Sequence, residues 1–278
     1  KSQNYPKNCL VEDCLIEYVG MVEKQATGVE KDGMYITCVH SHTAFRVTKP
    51  SEALTDSDIF LRWLFKQFCT CAKLALEDLK PCTVKVAKGE AKGVGFVRVY
   101  RMKDGSVRTN PGVGNPDIVA PMSKPDEQVQ LMRVDRPGKD SVAIVNFQCH
   151  PDTIGGCKIS ADWPRVVRET VERVLDGVKC VLINGAQGDS NHICTDPSRV
   201  VPSRQSRRTH IHMGRVIAGS VIGLFIGCIL ANTLTGAVIC YIGHNYLVAR
   251  LNTILLDMEK AAMEIPSFCE QQKNPAGN

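Results

Sequence analysis

A chain of 278 residues has room for one large domain or two small ones. Its 44% hydrophobic and 23% charged content is ordinary for a globular protein and excludes a disordered one. A net charge of +5, 6% aromatics and no basic stretch interleaved with aromatic residues leave nucleic-acid binding without support.

The opening Lys1-Ser2-Gln3-Asn4 leads into no apolar signal core. Residues 10–28 read as a helix, with Leu10, Cys14, Leu15, Tyr18 and Met21 toward one face and Gly28 near its end. Residues 34–39 read as a strand leading to His40. Thr43 to Thr55 is a loop. Asp56-Ser57-Asp58 then caps a helix over about 58–79, its apolar stripe running from Leu61 through Leu64, Phe65, Phe68, Ala72, Ala75 and Leu76 to Leu79. Pro81 ends it.

Alternating patterns predict strands at 82–87 and 94–100. The Pro- and Gly-rich stretch 102–127 reads as a long ordered loop or flap. Strands at about 128–134 and 142–149 follow, joined by the turn Asp135-Arg136-Pro137-Gly138. Asp162-Trp163-Pro164 starts a helix, with Asp162 as its N-cap, that runs to about Leu175 and stops at Gly177. A buried strand at 178–183 ends in Asn184-Gly185-Ala186-Gln187-Gly188-Asp189. The loop 190–208, with Arg199, Arg204, Arg207 and Arg208, reads as solvated. A helix spans about 209–231, strands are expected at 236–242 and 246–256, and Gln271 to Asn278 forms a tail. Val216 to Tyr241 carries no charge, but Asn232-Thr233-Leu234-Thr235-Gly236 splits it. About 15 uncharged residues precede the split, short of the roughly 20 a span requires. The expectation is a helix buried against a sheet, with membrane contact as the alternative.

Thirteen cysteines lie scattered, several in apolar runs, and none forms a CxxC pair. They read as reduced, mostly buried residues, which points to a reducing, cytoplasmic setting.

The chemistry gathers at histidines. His40 and His42 stand one residue apart, so in extended chain both imidazoles face one side. His150 closes a second strand. Three strand-end imidazoles suit a metal or proton-transfer site. His210 and His212 share the spacing but start a helix, where their rings diverge. The glycines of 184–189 let backbone amides approach a ligand, although no Lys-Ser/Thr follows to make a phosphate loop.

Several motifs, in order, resemble the neutral (non-lysosomal) ceramidase family. Val39-His40-Ser41-His42-Thr43 is similar to its Thr-His-Thr-His-Ser segment. Phe96-Val97-Arg98-Val99-Tyr100-Arg101 with Asp104-Gly105 is similar to its Asn-Arg-Arg strand and turn. Pro125-Asp126-Glu127-Gln128-Val129, Asn146-Phe147-Gln148-Cys149-His150-Pro151, Ile159-Ser160-Ala161-Asp162 and Asn184 to Asp189 match further motifs, over roughly residues 10–230. The resemblance implies an α/β fold with a mixed sheet and packing helices. It places a partial catalytic domain in residues 1–256 and a tail at 257–278. It also implies zinc-dependent hydrolysis of a small-molecule or lipid amide, with sphingolipids the family's substrates. By carry-over, His40 and His150 are zinc ligands. His42, Arg98 and Asp189 form the catalytic set, and Arg98, Gly188 and Asn191 bind substrate. Val97 and Val99 depart from the family's Asn and Arg, Asn191 replaces a serine of the larger ceramidases, and the family's later Glu and Tyr ligands find no counterpart. The alternatives are a non-catalytic or membrane-associated module and a barrel-type metal amidohydrolase. The latter demands βα repeats that 80–150 does not show.

Overall fold

The computed structural model describes residues 28, 37–44, 56–156, 159–195 and 209–230. The expected helix at 10–28, the arginine cluster at 199–208, the strands beyond 235 and the boundary at 256 lie outside the described residues, apart from Gly28.

The centre is a four-stranded mixed sheet. Its strands are β1 (Thr83–Glu90), β6 (Gln128–Asp135), β7 (Ser141–Phe147) and β8 (Val178–Asn184), in the order β1-β6-β7-β8. The β1/β6 and β6/β7 pairs are antiparallel, and β7/β8 is parallel. A parallel pair needs a crossover, which α2 (Asp162–Val174) supplies between β7 and β8. The turn at 135–138 joins β6 to β7, as its sequence requires.

Strand alternation sets the core. Val129 and Leu131 on β6, Ala143, Val145 and Phe147 on β7, and Val178, Cys180 and Leu182 on β8 are buried on one face. Two helices cover that face: α2 packs on β8, and α3 (His210–Leu230) packs on β1, β6 and α2. Trp163 of α2 is fully buried and meets Phe147 edge to face at 5.7 Å. Burying each such large apolar side chain contributes about 1.5–3 kcal/mol. Where α2 and α3 cross, a Cβ on Gly214 would stand 2.4 Å from Val166 Cβ, so the helices touch backbone to side chain.

The uncharged run therefore forms a core helix over its described part. By length and composition His210–Cys228 is apolar enough to cross a membrane, but 67% of that window is buried inside the fold. Arg133, 9% exposed, is the one cation of β6 on the helix side. It pairs with Asp135, donates to Phe225 O at 2.7 Å and lies 4.0 Å above the Phe225 ring, so its charge is fully partnered.

Three expectations change. The stretch 102–127 is not one loop: β4 (Val107–Thr109) and β5 (Ile118–Pro121) flank β3 (Val99–Met102) in a second sheet. Gly105, Pro111, Gly112, Gly114 and Pro116 sit in the turns between these short strands and Pro121 closes β5, which hid the strands' alternation. The strand predicted for 94–100 breaks at Arg98, giving β2 (Phe96–Val97) and β3, because the chain changes partners there: Arg98 N donates to Asp189 O beside the Ser190–Asn191 strand that pairs with β2, while Arg98 O accepts from Asn110 N beside β4. The long helix, α1, runs Asp56–Glu77 as expected, yet only Leu61 of its stripe is buried, while Leu76 and Leu79 are exposed. The thiols of Cys149 and Cys180 behave as the sequence suggests for buried cysteines: burial pushes each up to about 12, so both stay protonated.

Candidate metal centre

The site forms where the carboxyl ends of the parallel strands β7 and β8 open, the usual crevice of α/β sheets. Three loops meet there, and each has a physical reason to be fixed.

The first is 37–44. The described part of the expected strand, 37–39, is irregular chain instead, and His40 follows at φ 64°. The alternation survives nonetheless. Ser41 and Thr43, 8% and 7% exposed, turn one way, and their hydroxyls donate to Ser160 O at 2.7 and 3.2 Å. Ser160 N donates back to Thr43 O. His40 and His42, between and beside them, turn the other way. A left-handed backbone at a non-glycine residue costs about 1–3 kcal/mol and persists only where surrounding contacts impose it. Here the Ser160 clamp supplies them.

The second loop follows β7. His150 is 6% exposed, and its Nδ1 faces Gln187 O at 2.8 Å and Ser190 O at 3.1 Å. Two carbonyl acceptors require the proton on Nδ1 and leave the Nε2 lone pair as a donor toward a metal, as metal-ligating histidines are commonly held. Beyond His150, Thr153 and Ile154 are held by the carboxylate of Asp162. It accepts from Thr153 N at 2.9 Å, Thr153 Oγ1 at 2.7 Å, Ile154 N at 3.0 Å and Trp163 N at 2.6 Å. Asp162 is 1% exposed with φ 53°. The N-cap position falls on Ala161, one residue before the expected cap. The carboxylate thus ties the loop of His150 to the start of α2, a larger task than capping.

The third loop follows β8. Asn184 Nδ2 donates to Val39 O at 2.9 Å and Cys149 O at 3.1 Å, joining all three loops. Gly188 O accepts from Arg98 Nε at 2.9 Å, and Asp189 O from Arg98 N, also at 2.9 Å.

The outcome is a triangle of imidazoles. Ring centroids are 5.0 Å apart for His40–His42, 5.1 Å for His40–His150 and 5.4 Å for His42–His150. One ligand atom from each ring lies within 4.8 Å of the others, a spacing that one ion can bridge. Burial holds the pKa of His40 below its usual value, and the charges of His42 and Arg98 add to the effect. Burial also lowers His150, again with Arg98 contributing. Neutral imidazoles are the ligating form, so the three-imidazole donor set, the tautomer of His150 and the lowered pKa values of His40 and His150 suit a divalent metal ion such as zinc.

The remaining sequence-derived residues fall around this triangle in different roles. Arg98 is near enough to act electrostatically on both His40 and His150. Gly188 supplies the carbonyl that holds Arg98. Asp189 is exposed, and its Oδ2 accepts from Ser123 Oγ at 2.8 Å. Asn191 is 3% exposed; its amide donates to Asn110 Oδ1 at 3.2 Å, and its oxygen accepts from His192 N at 2.6 Å. Sequence reasoning missed the clamp of Ser41, Thr43 and Ser160, and it missed Asp152, whose Oδ1 stands 3.2 Å from His42 Nδ1. The alternating small hydroxyls in His-Ser-His-Thr were the only signal for the clamp.

No protein-family model matches the chain, and no curated protein does. Solved structures do. A ceramidase complexed with C2 superposes with TM-score 0.50 at 13% identity, covering 76% of this chain and 33% of that one. The fold is ceramidase-like. A neutral ceramidase from Pseudomonas aeruginosa gives TM-score 0.47 at 13% identity, covering 72% of this chain and 33% of its own. The chain thus spans about a third of the length of the ceramidases it resembles.

Proposed function

We propose that this chain carries the metal-binding part of a zinc-dependent amide hydrolase acting on N-acyl amides of the ceramide type. The observation that carries this reading is the histidine triangle at the carboxyl ends of two parallel strands, with His150 Nδ1 committed to backbone carbonyls. The ceramidase-like fold supports it.

In this reading His40 and His150 hold zinc through neutral imidazoles. A bound zinc ion supplies Lewis acidity at the substrate carbonyl and acidifies water. His42 faces the substrate at the side of the triangle nearer solvent, consistent with its exposure. Arg98, anchored by Gly188 O through Nε, keeps its remaining guanidinium nitrogens to stabilise negative charge as it develops on the carbonyl oxygen. Asp189 and Ser123 brace the loop that carries this anchor. Asn191 acts by holding that loop against Asn110. The proximity of the His42 ligand atom to the other two favours a second reading, in which His42 is a third zinc ligand, since catalytic zinc sites generally use three protein ligands.

The test is a panel of N-acyl amides, from short to long acyl chains, assayed with zinc and with chelator. Zinc-dependent release of fatty acid, lost in His150→Ala and Arg98→Ala, is expected. Equal rates with zinc and with chelator would refute the reading.

A further inference from the structure

We infer that Asp152 is a positioning residue, fixing which nitrogen His42 presents to the cluster. This inference deepens the proposed hydrolase site and takes its purpose from that reading, although its test does not depend on it.

Two contacts tie His42 to the segment after His150. Its backbone N donates to Pro151 O at 3.3 Å, and its ring Nδ1 stands 3.2 Å from Asp152 Oδ1. The carboxylate is not on a loose loop. On one side of it His150 is held by Gln187 O and Ser190 O. On the other, Thr153 and Ile154 are held by the buried Asp162. Asp152 therefore occupies a short bridge pinned at both ends. The ring it meets is held in the same way, because Ser41 and Thr43 on either side of His42 are clamped to Ser160 O.

A carboxylate oxygen accepts and does not donate. Facing Nδ1, it favours the Nδ1–H tautomer and leaves the lone pair on Nε2. His150 reaches the same state by a different route, through backbone carbonyls. Two of the three rings are thus set in one tautomer by partners outside the triangle. Carboxylate–histidine pairs of this kind fix ring orientation and raise the basicity of the opposite nitrogen. The benefit to the site holds whether Nε2 of His42 meets a metal or a substrate oxygen.

Stability does not explain the pair. The side chains of His42 and Asp152 are 37% and 40% exposed, and exposed pairs contribute little to folding. What the contact adds is orientation.

The experiment is nitrogen NMR of the full, metal-free chain with labelled histidines, at about pH 8.5, roughly two units above the ordinary imidazole value. His42→Gln assigns the resonances. In the unsubstituted protein His42 should give the two separated nitrogen shifts of an Nδ1–H tautomer. In Asp152→Ala these should move to the averaged or reversed pattern of an unheld imidazole, and Asp152→Glu should restore much of the original pattern. Thermal unfolding of Asp152→Ala should stay at the parent value, which separates positioning from folding. An unchanged His42 tautomer in Asp152→Ala would overturn the inference. Because no metal or substrate is present, the result stands apart from any failure to find zinc or amidase activity.

Discussion

Replacing Asp162 by alanine is the sharpest test of how the site is held. The carboxylate accepts four hydrogen bonds at 2.6–3.0 Å, from Thr153 N, Thr153 Oγ1, Ile154 N and Trp163 N, and the residue is 1% exposed. Each buried donor left without a partner costs about 1–3 kcal/mol. Thr153 and Ile154 are only half-buried and can recruit water, whereas Trp163 is fully buried. Alanine also tolerates the left-handed backbone less well than aspartate, at roughly 1 kcal/mol. Together these give a loss of about 3–5 kcal/mol, a large part of the ~5–15 kcal/mol that holds a domain. Asp162→Asn keeps one acceptor oxygen and the backbone tolerance, and should lose about 1–2 kcal/mol. The assay is urea unfolding, read as a fall in midpoint at constant slope. Zinc titration of the folded Asp162→Asn protein adds a second readout. Ser160, whose hydroxyl accepts from Asp162 N, also clamps Ser41 and Thr43, so zinc should bind more weakly although no ligand has changed. An alanine variant within about 0.5 kcal/mol of the parent, in the range of an ordinary surface substitution, would refute the reasoning.

Other outcomes follow from the same contacts. Gly214→Ala should lower stability by roughly 1–3 kcal/mol through overpacking against Val166, outweighing the ~1 kcal/mol by which alanine favours a helix, as urea midpoints will show. His40 and His150 have folded pKa values below the ordinary imidazole value of 6.5, so in the metal-free protein their contribution to stability is complete above about pH 6.5. It is lost as pH falls from there through the lowered values, because the unfolded chain takes up protons first. Melting temperature against pH should decline on that acid side, and His150→Gln should flatten the decline. For the same reason, zinc should remain bound to lower pH than an unperturbed imidazole site allows.

Much of the fold was legible because its elements are long and periodic. The strands β6, β7 and β8 and the helices α2 and α3 lie close to where alternation, capping and helical spacing put them. Of the sheet of β3, β4 and β5 only the start of β3 was legible, since strands of three or four residues beside prolines and glycines, such as β4 and β5, leave no periodic signal. Of the site, the His40–His42 pair and His150 could be read because i and i+2 spacing fixes a common face. The structure then shows that Ser41 and Thr43, docked on Ser160, enforce that face without a regular strand. Partners distant in sequence were invisible in principle: nothing in one chain announces that Gln187 O meets His150, or that Asp162 reaches back to Thr153. A motif places Asn191 among the substrate-binding residues, and the structure adds its partners: its amide donates to Asn110 Oδ1 and its oxygen accepts from His192 N.

The central claim is that three loops build a metal centre from histidines. Isothermal titration of the purified, chelator-treated chain with zinc, backed by metal analysis after dialysis, tests it most directly. About one zinc ion per chain is expected, with binding abolished in His40→Ala and in His150→Ala while both variants remain folded, since catalytic zinc sites hold a single ion through such ligands. Absence of zinc binding by the parent chain, or unchanged binding in both variants, would contradict it.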